Sequence, residues 1–159
     1  MKVKHRGHRI GSGKTVMRLL ITIISLSAFL LLLGISASAA DKYQKMINCD
    51  PNKSFCKQQL EGITVVLNID PKPVKAMQDL VFQVTLEGSN SEISSAPAID
   101  LGMPGMNMGP NHVTLKSIGN GNYRGNGIIV RCPSGRTIWQ ATVTVPDIGK
   151  AKFIFDVIY

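Results

Sequence analysis

The chain has 159 residues and a formal net charge of +8, from 18 Lys and Arg residues against 10 Asp and Glu residues. Residues 1–18 hold six of the bases and none of the acids, so the chain from Asp41 onward has only 12 bases against 10 acids. A part this close to neutral lacks the electrostatic basis for binding nucleic acid. It also contains a single histidine, His112, which excludes most hydrolase and metalloprotease sites and predicts a protein that is not an enzyme.

Residues 1–40 have the three parts of a secretory signal. A basic segment is followed by an uncharged aliphatic run at 19–33 and by small residues, and Ala-Ser-Ala at 37–39 predicts cleavage before Ala40. An uncleaved membrane anchor is the alternative, since about 20 apolar residues can also span a bilayer. Either way the rest of the chain is expected in the periplasm, free or anchored to the cytoplasmic membrane, and translation that starts at Met17 would still supply a compact signal.

A polar entry segment at 41–61 is followed by runs in which apolar and polar residues alternate. A period of two predicts half-buried β-strands, and Gly, Pro and Asn residues separate the runs. Asn120 and Gly121 are a strong hairpin signal, because they tolerate positive φ at both central positions of a tight turn. The predicted strands lie at 63–69, 80–86, 96–101, 113–117, 123–131, 137–145 and 151–159.

Seven short strands with no convincing helical period after residue 60 predict an all-β fold. We expect an immunoglobulin-like two-sheet sandwich at 62–159, preceded by the N-terminal signal or anchor helix. A domain of this size can bury a core of its own. Its largest predicted core side chains are Trp139, Phe82, Phe153 and Phe155.

The segment 101–112 is unusual because it holds three of the five methionines that follow the leader, next to the single histidine of that part. Core methionines normally occur singly within an apolar period, whereas Met103, Met106 and Met108 lie among Gly, Pro and Asn. Thioethers are soft ligands that, with one imidazole, suit Cu(I) better than zinc or hard cations. We therefore predict a copper site formed by Met103, Met106, Met108 and His112, which carries or passes the ion.

Two other uses of this Met-rich loop remain open. The methionines could turn inward and cap one end of the sandwich, with His112 exposed on the next strand, or they could form a contact surface for another protein. The predicted function is a periplasmic Cu(I) carrier or chaperone with an envelope protein as acceptor. The alternative is a metal-free envelope interaction module, and in both cases only the N-terminal segment contacts the membrane.

The three cysteines, Cys49, Cys56 and Cys132, are an odd number for an oxidising compartment. One disulfide and one remaining thiol are expected. Pairing Cys49 with Cys56 closes a local loop, whereas a bridge from either of them to Cys132 staples the entry segment to the strand before Trp139. A long closure restricts the unfolded chain more than a short one and stabilises by about 4 kcal/mol in total in the entropy model, which slightly favours a bridge that involves Cys132.

Several short motifs of the chain occur in an order and spacing that match one family. They are Cys49 with Cys56, the stretch at 69–73, Met-x-Met-Gly-x-Asn at 106–111, Cys-Pro-Ser-Gly-Arg at 132–136 and Trp-x-Ala-x-Val at 139–143. Together they resemble the YtkA-like family of small exported domains, over roughly residues 49–158. The resemblance implies an immunoglobulin-like sandwich outside the cytoplasmic membrane. Some members occur beside copper-handling or cytochrome-oxidase assembly components, which implies an oxidase-assembly or metal-efflux component as the acceptor.

Overall fold

The computed structural model describes residues 42–88 and 93–159, so the predictions for the leader at 1–40 lie outside the described residues. Within the two described ranges, no helix is long and apolar enough to cross a membrane. The same ranges contain nine β-strands. They are β1 (Cys56–Leu60), β2 (Ile63–Asp70), β3 (Asp79–Glu87), β4 (Ala98–Gly102), β5 (His112–Thr114), β6 (Lys116–Gly119), β7 (Asn122–Ile128), β8 (Ile138–Val145) and β9 (Gly149–Asp156).

The strands form two antiparallel sheets, which confirms the prediction of a mostly β fold. The five-stranded sheet has the order β1-β2-β3-β7-β6, and the four-stranded sheet has the order β5-β4-β8-β9. Every pair of neighbouring strands is antiparallel. This arrangement is consistent with a β-sandwich, and the two sheets with their connections are called the two-sheet domain below.

One hydrophobic core holds the two sheets together. The alternating residues of β3 and β8 place one apolar face inward, and the four largest predicted core side chains, Trp139, Phe82, Phe153 and Phe155, are fully buried. Burial of each such side chain stabilises the fold by about 1.5–3 kcal/mol. The core prediction is therefore confirmed for these aromatic residues.

The first strand lies inside the segment that the sequence assigns to a polar entry. β1 pairs with β2, with Cys56 opposite Leu67, so the last part of the segment 41–61 belongs to the five-stranded sheet. Lys57 and Gln59 on β1 are exposed, because this strand is the edge of its sheet and faces solvent. An edge strand of that kind lacks the apolar alternation that marks the inner strands.

The run predicted as one strand at 113–117 forms two strands in different sheets. β5 pairs with β4 in the four-stranded sheet, and β6 pairs with β7 in the five-stranded sheet. Leu115 lies between them and is buried. The crossing chain comes so close to β7 that a Cβ on Gly125 would lie 2.3 Å from the Thr114 carbonyl oxygen.

The disulfide joins Cys49 to Cys56, whose Cα atoms are 5.4 Å apart, and Cys132 is a free, buried thiol. The slight preference for a bridge to Cys132 is therefore wrong. Loop entropy concerns the unfolded chain, whereas the native turn decides which sulfur atoms meet. Here the Asp50 carbonyl accepts hydrogen bonds from the N–H groups of Lys53 and Ser54, which bends the chain back between the two cysteines.

Candidate metal site

Met103 continues the inward alternation of β4 beyond the end of that strand. Ile99, Leu101 and Met103 all face the core, and the Met103 residue is only 4% exposed. Asp100 and Gly102 alternate with them, and Asp100 is exposed. Of the four predicted ligands, Met103 is therefore the one that packs as a core residue.

A tight turn carries the chain from Met103 to Met106. The Met106 N–H donates to the Met103 carbonyl over 3.1 Å, and Gly105 has the positive φ of 70° that such a turn requires at its third position. Arg136 fixes this turn from outside, since its Nη2 donates to the Pro104 carbonyl oxygen over 2.8 Å. The Arg136 guanidinium also lies 4.0 Å above the centre of the Tyr43 ring, an arrangement typical of a cation–π contact.

The end of the loop at Asn111 is hydrogen-bonded to β4 and to β7. The Leu101 N–H donates to the Asn111 carbonyl over 2.8 Å, and the Asn111 side-chain amide donates to the Ile128 carbonyl over 3.3 Å. β5 then begins at His112, which pairs with Asp100 across the sheet. Both ends of the Met-rich loop are thus tied to β-structure.

An open cleft of ≈ 370 Å³ lies between the Met-rich loop and outward-facing residues of β4 and β8. The structure brings all four predicted ligands to its walls. Met106 is 36% exposed, Met108 is half-buried and packs partly against the core, and His112 is exposed. The residues that line the cleft include Asp100, Met103, Met106, Met108, His112, Gln140 and Thr142.

His112 has a neighbour in the cleft that the sequence patterns do not reveal. Its Nδ1 lies 3.2 Å from Oδ1 of Asp100, and both side chains remain largely exposed. Asp100 precedes the three methionines in the chain and His112 follows them, so only the β4–β5 register brings the two residues together. Alternation along β4 indicates that Asp100 faces outward, but no signal in the sequence gives that register.

The donors in the cleft are thioethers, one imidazole and one carboxylate. In the described part of the chain, no three His, Cys, Asp or Glu side chains form a group that could hold a metal ion. Thioether and imidazole donors together fit the preference of Cu(I) for soft ligands. The chemistry of the residues present therefore fits the predicted ion.

The free thiol of Cys132 does not line this cleft. Its Sγ lies 3.0 Å from the Ser134 hydroxyl oxygen, and this hydrogen bond lowers the pKa of the Cys132 thiol. The Cys132 N–H donates to the Tyr159 hydroxyl oxygen over 3.1 Å, and the residue is 3% exposed. Cys132 is thus a buried thiol, apart from the predicted copper ligands.

No protein-family model, no curated protein and no solved structure matches this chain.

Proposed function

We propose that this protein is an exported copper carrier that holds Cu(I) in the cleft beneath the Met-rich loop and delivers it to an envelope protein. The observation that carries this proposal is that Met103, Met106, Met108 and His112 all line one open cleft. The proposal includes an immunoglobulin-like form of the two-sheet domain and a relationship to the YtkA-like family.

The ligands differ in how easily an ion reaches them. Met106, Met108 and His112 have surface in contact with solvent, so they supply two thioethers and one imidazole without rearrangement of the core. Met103 packs as a core residue and is the least accessible donor of the set. Sulfur donors favour Cu(I) over Zn²⁺ and over the hard cations that prefer oxygen.

An open cleft suits transfer of an ion. Thioethers are neutral donors, and the cleft contains no free thiolate that would hold copper more strongly, since Cys132 does not line it. An acceptor protein can reach Met106 and His112 directly because both are exposed on one face. An oxidase-assembly or metal-efflux component is the class of acceptor that we propose.

Competition titration of the full chain with Cu(I), under reducing conditions and against a chelator of known affinity, tests the proposal. The double variant Met106→Leu/Met108→Leu should bind at least about tenfold more weakly, because it removes two accessible soft donors. Leu preserves most of the apolar volume of Met. A matched control, Met46→Leu/Met77→Leu, removes two exposed thioethers outside the cleft and should leave the affinity unchanged. Equal binding by the parent and the cleft variant would overturn the copper proposal.

A metal-free interaction module is the second candidate, favoured by the exposure of Met106 in a Met-rich loop, a kind of surface that proteins use to bind varied partners. In that case the protein should not compete with the chelator for Cu(I) at all. Capture of the same envelope protein by the parent, with and without Cu(I), would then support this second function.

The proposed location follows from the leader at 1–40. Mass spectrometry of the protein recovered from the cell envelope should show an N-terminus near Ala40 if the leader is cleaved. An intact leader in the membrane fraction would instead support an anchor, with the remainder of the chain in the periplasm.

A further inference from the structure

We propose that Asp100 is a positioning residue that fixes the tautomer and orientation of the His112 imidazole, so that Nε2 is the nitrogen presented to an ion in the cleft. The orientation of the ring follows from the contact between Asp100 and His112 across the two strands. Its consequence for copper rests on the proposed function.

Asp100 and His112 are directly opposite each other on β4 and β5. Both residues line the cleft, and Nδ1 of His112 lies 3.2 Å from Oδ1 of Asp100. A contact between adjacent strands at fixed register needs no long flexible segment to form. The strands therefore hold the carboxylate beside one particular nitrogen of the ring.

The chemistry of the two groups decides which nitrogen carries the proton. An ionised carboxylate can only accept a hydrogen bond, so Nδ1 must be the donor in this contact. A neutral imidazole has one N–H, and its other nitrogen then keeps a free lone pair. The contact with Asp100 therefore favours the Nδ1–H tautomer and leaves Nε2 available as a metal ligand.

Asp100 is the one acidic side chain among the described residues that line the cleft. Its Oδ1 is engaged by His112, and a hard carboxylate oxygen is a poor match for Cu(I) beside thioethers. Ligating histidines usually donate their other ring N–H to a carboxylate, which fixes the ring and makes the ligating nitrogen more basic. This pattern assigns Asp100 a supporting role behind His112.

The ring itself is tested first, in the metal-free full chain. Long-range ¹H–¹⁵N correlation spectra, recorded at a pH where the imidazole is neutral, distinguish the two tautomers, and the His112 signal is identified by its loss in His112→Gln. We expect the Nδ1–H form in the parent and a weaker preference for it in Asp100→Asn, because an amide can accept through its oxygen or donate through its NH₂. The Asp100→Ala variant should shift toward the Nε2–H form, while Asp79→Ala, which alters an exposed aspartate of β3, should match the parent.

The Cu(I) affinity of the same variants is then measured by competition titration. Asp100→Ala should bind Cu(I) about 10–100-fold more weakly than the parent, and Asp100→Asn should bind with an affinity between those of the parent and Asp100→Ala. An unchanged tautomer in Asp100→Ala would overturn the inference, whatever the Cu(I) affinities are. If the tautomer shifts as expected but the parent binds no Cu(I), the inference about the ring stands and the proposed function fails.

Discussion

The hydroxyl of Tyr159 makes hydrogen bonds to three residues of the segment 132–139. It accepts hydrogen bonds from Nε1 of Trp139 and from the N–H of Cys132, each over 3.1 Å, and donates to the Arg136 carbonyl. Trp139 is fully buried, so solvent water cannot replace the Tyr159 hydroxyl as the acceptor for its N–H. A buried donor without a partner is costly.

Replacement of Tyr159 by Phe should therefore lower the free energy of unfolding by about 1–3 kcal/mol, since it leaves buried donors unpaired. Chemical denaturation of the parent and variant gives this difference directly. Tyr123→Phe is the matched control, because Tyr123 is half-buried against the core and the change removes the same atom. Equal losses in both variants would contradict a specific role for the Tyr159 hydroxyl.

Met103 is both a predicted copper ligand and a buried core residue, and a substitution there can measure the two roles separately. Met103→Leu keeps a similar apolar volume, so we expect it to cost less than about 1.5 kcal/mol of stability. Its effect on Cu(I) affinity should be smaller than that of Met106→Leu/Met108→Leu, because Met103 is only 4% exposed. A loss of affinity equal to that of the double variant, measured in the same competition titration, would place Met103 among the principal ligands.

At the scale of elements, the passage of the chain from β5 in one sheet to β6 in the other depends on Gly125, which has no side chain. A Cβ at Gly125 would meet the Thr114 backbone oxygen at 2.3 Å and a Val113 methyl at 3.0 Å. Backbone atoms cannot rotate away as the end of a side chain can. The close approach of β5 and Leu115 to β7 therefore requires Gly at position 125.

Gly125→Ala should destabilise the domain by about 2 kcal/mol or more, because overpacking here must displace backbone. Gly102→Ala is the control within a strand, since a Cβ there has no neighbouring atom within 4 Å. Thermal or chemical unfolding of both variants measures the difference. A Gly125→Ala protein as stable as the Gly102→Ala protein would mean that the strands separate easily at this point.

The inner strands were predictable because their burial leaves a period of two in the sequence. β3 alternates buried and more exposed residues along nearly its whole length, and β8 does so through most of its residues. The sequence does not reveal β1, because this edge strand carries polar residues. It also does not separate β5 from β6, because crossing between the sheets does not interrupt the alternation. Met103 continues the alternation of β4, but the Gly and Pro residues beside it hide this continuation in the sequence.

The composition of the candidate site was also visible in the sequence, since Met106, Met108 and His112 stand in one short polar stretch. Two features of the structure are not visible in the sequence. The Asp100–His112 contact depends on the β4–β5 register, and the Cys49–Cys56 pairing depends on the turn at Asp50. The β4–β5 register joins separate segments, which no local pattern encodes, whereas the cysteine pairing is decided by a turn within one segment.

At the scale of the whole molecule, the entry segment connects the two sheets on one side. Asn48 hydrogen-bonds to β9 through its backbone N–H and its side-chain amide, which contact the Ile154 backbone and the Lys152 carbonyl. The disulfide and β1 follow directly, and β1 belongs to the other sheet. The cystine therefore fixes a segment that contacts both sheets.

Replacement of both Cys49 and Cys56 by Ala should lower the free energy of unfolding by about 2.5 kcal/mol, the value that the entropy model gives for so short a loop. Denaturation curves with and without a thiol reductant measure it. Reductant should destabilise the parent by a similar amount and leave the double variant unaffected. A parent insensitive to reduction would show that the bridge adds nothing to stability.

Asn48 has a further consequence at the outer side of β9. The exposed edge of a β-sheet offers unpaired N–H and C=O groups to any other extended chain, and this is how stacking into fibrils begins. At Ile154 both backbone groups are already taken by Asn48. A second molecule therefore finds no template at this point, and self-association into fibrils is blocked there by a single asparagine.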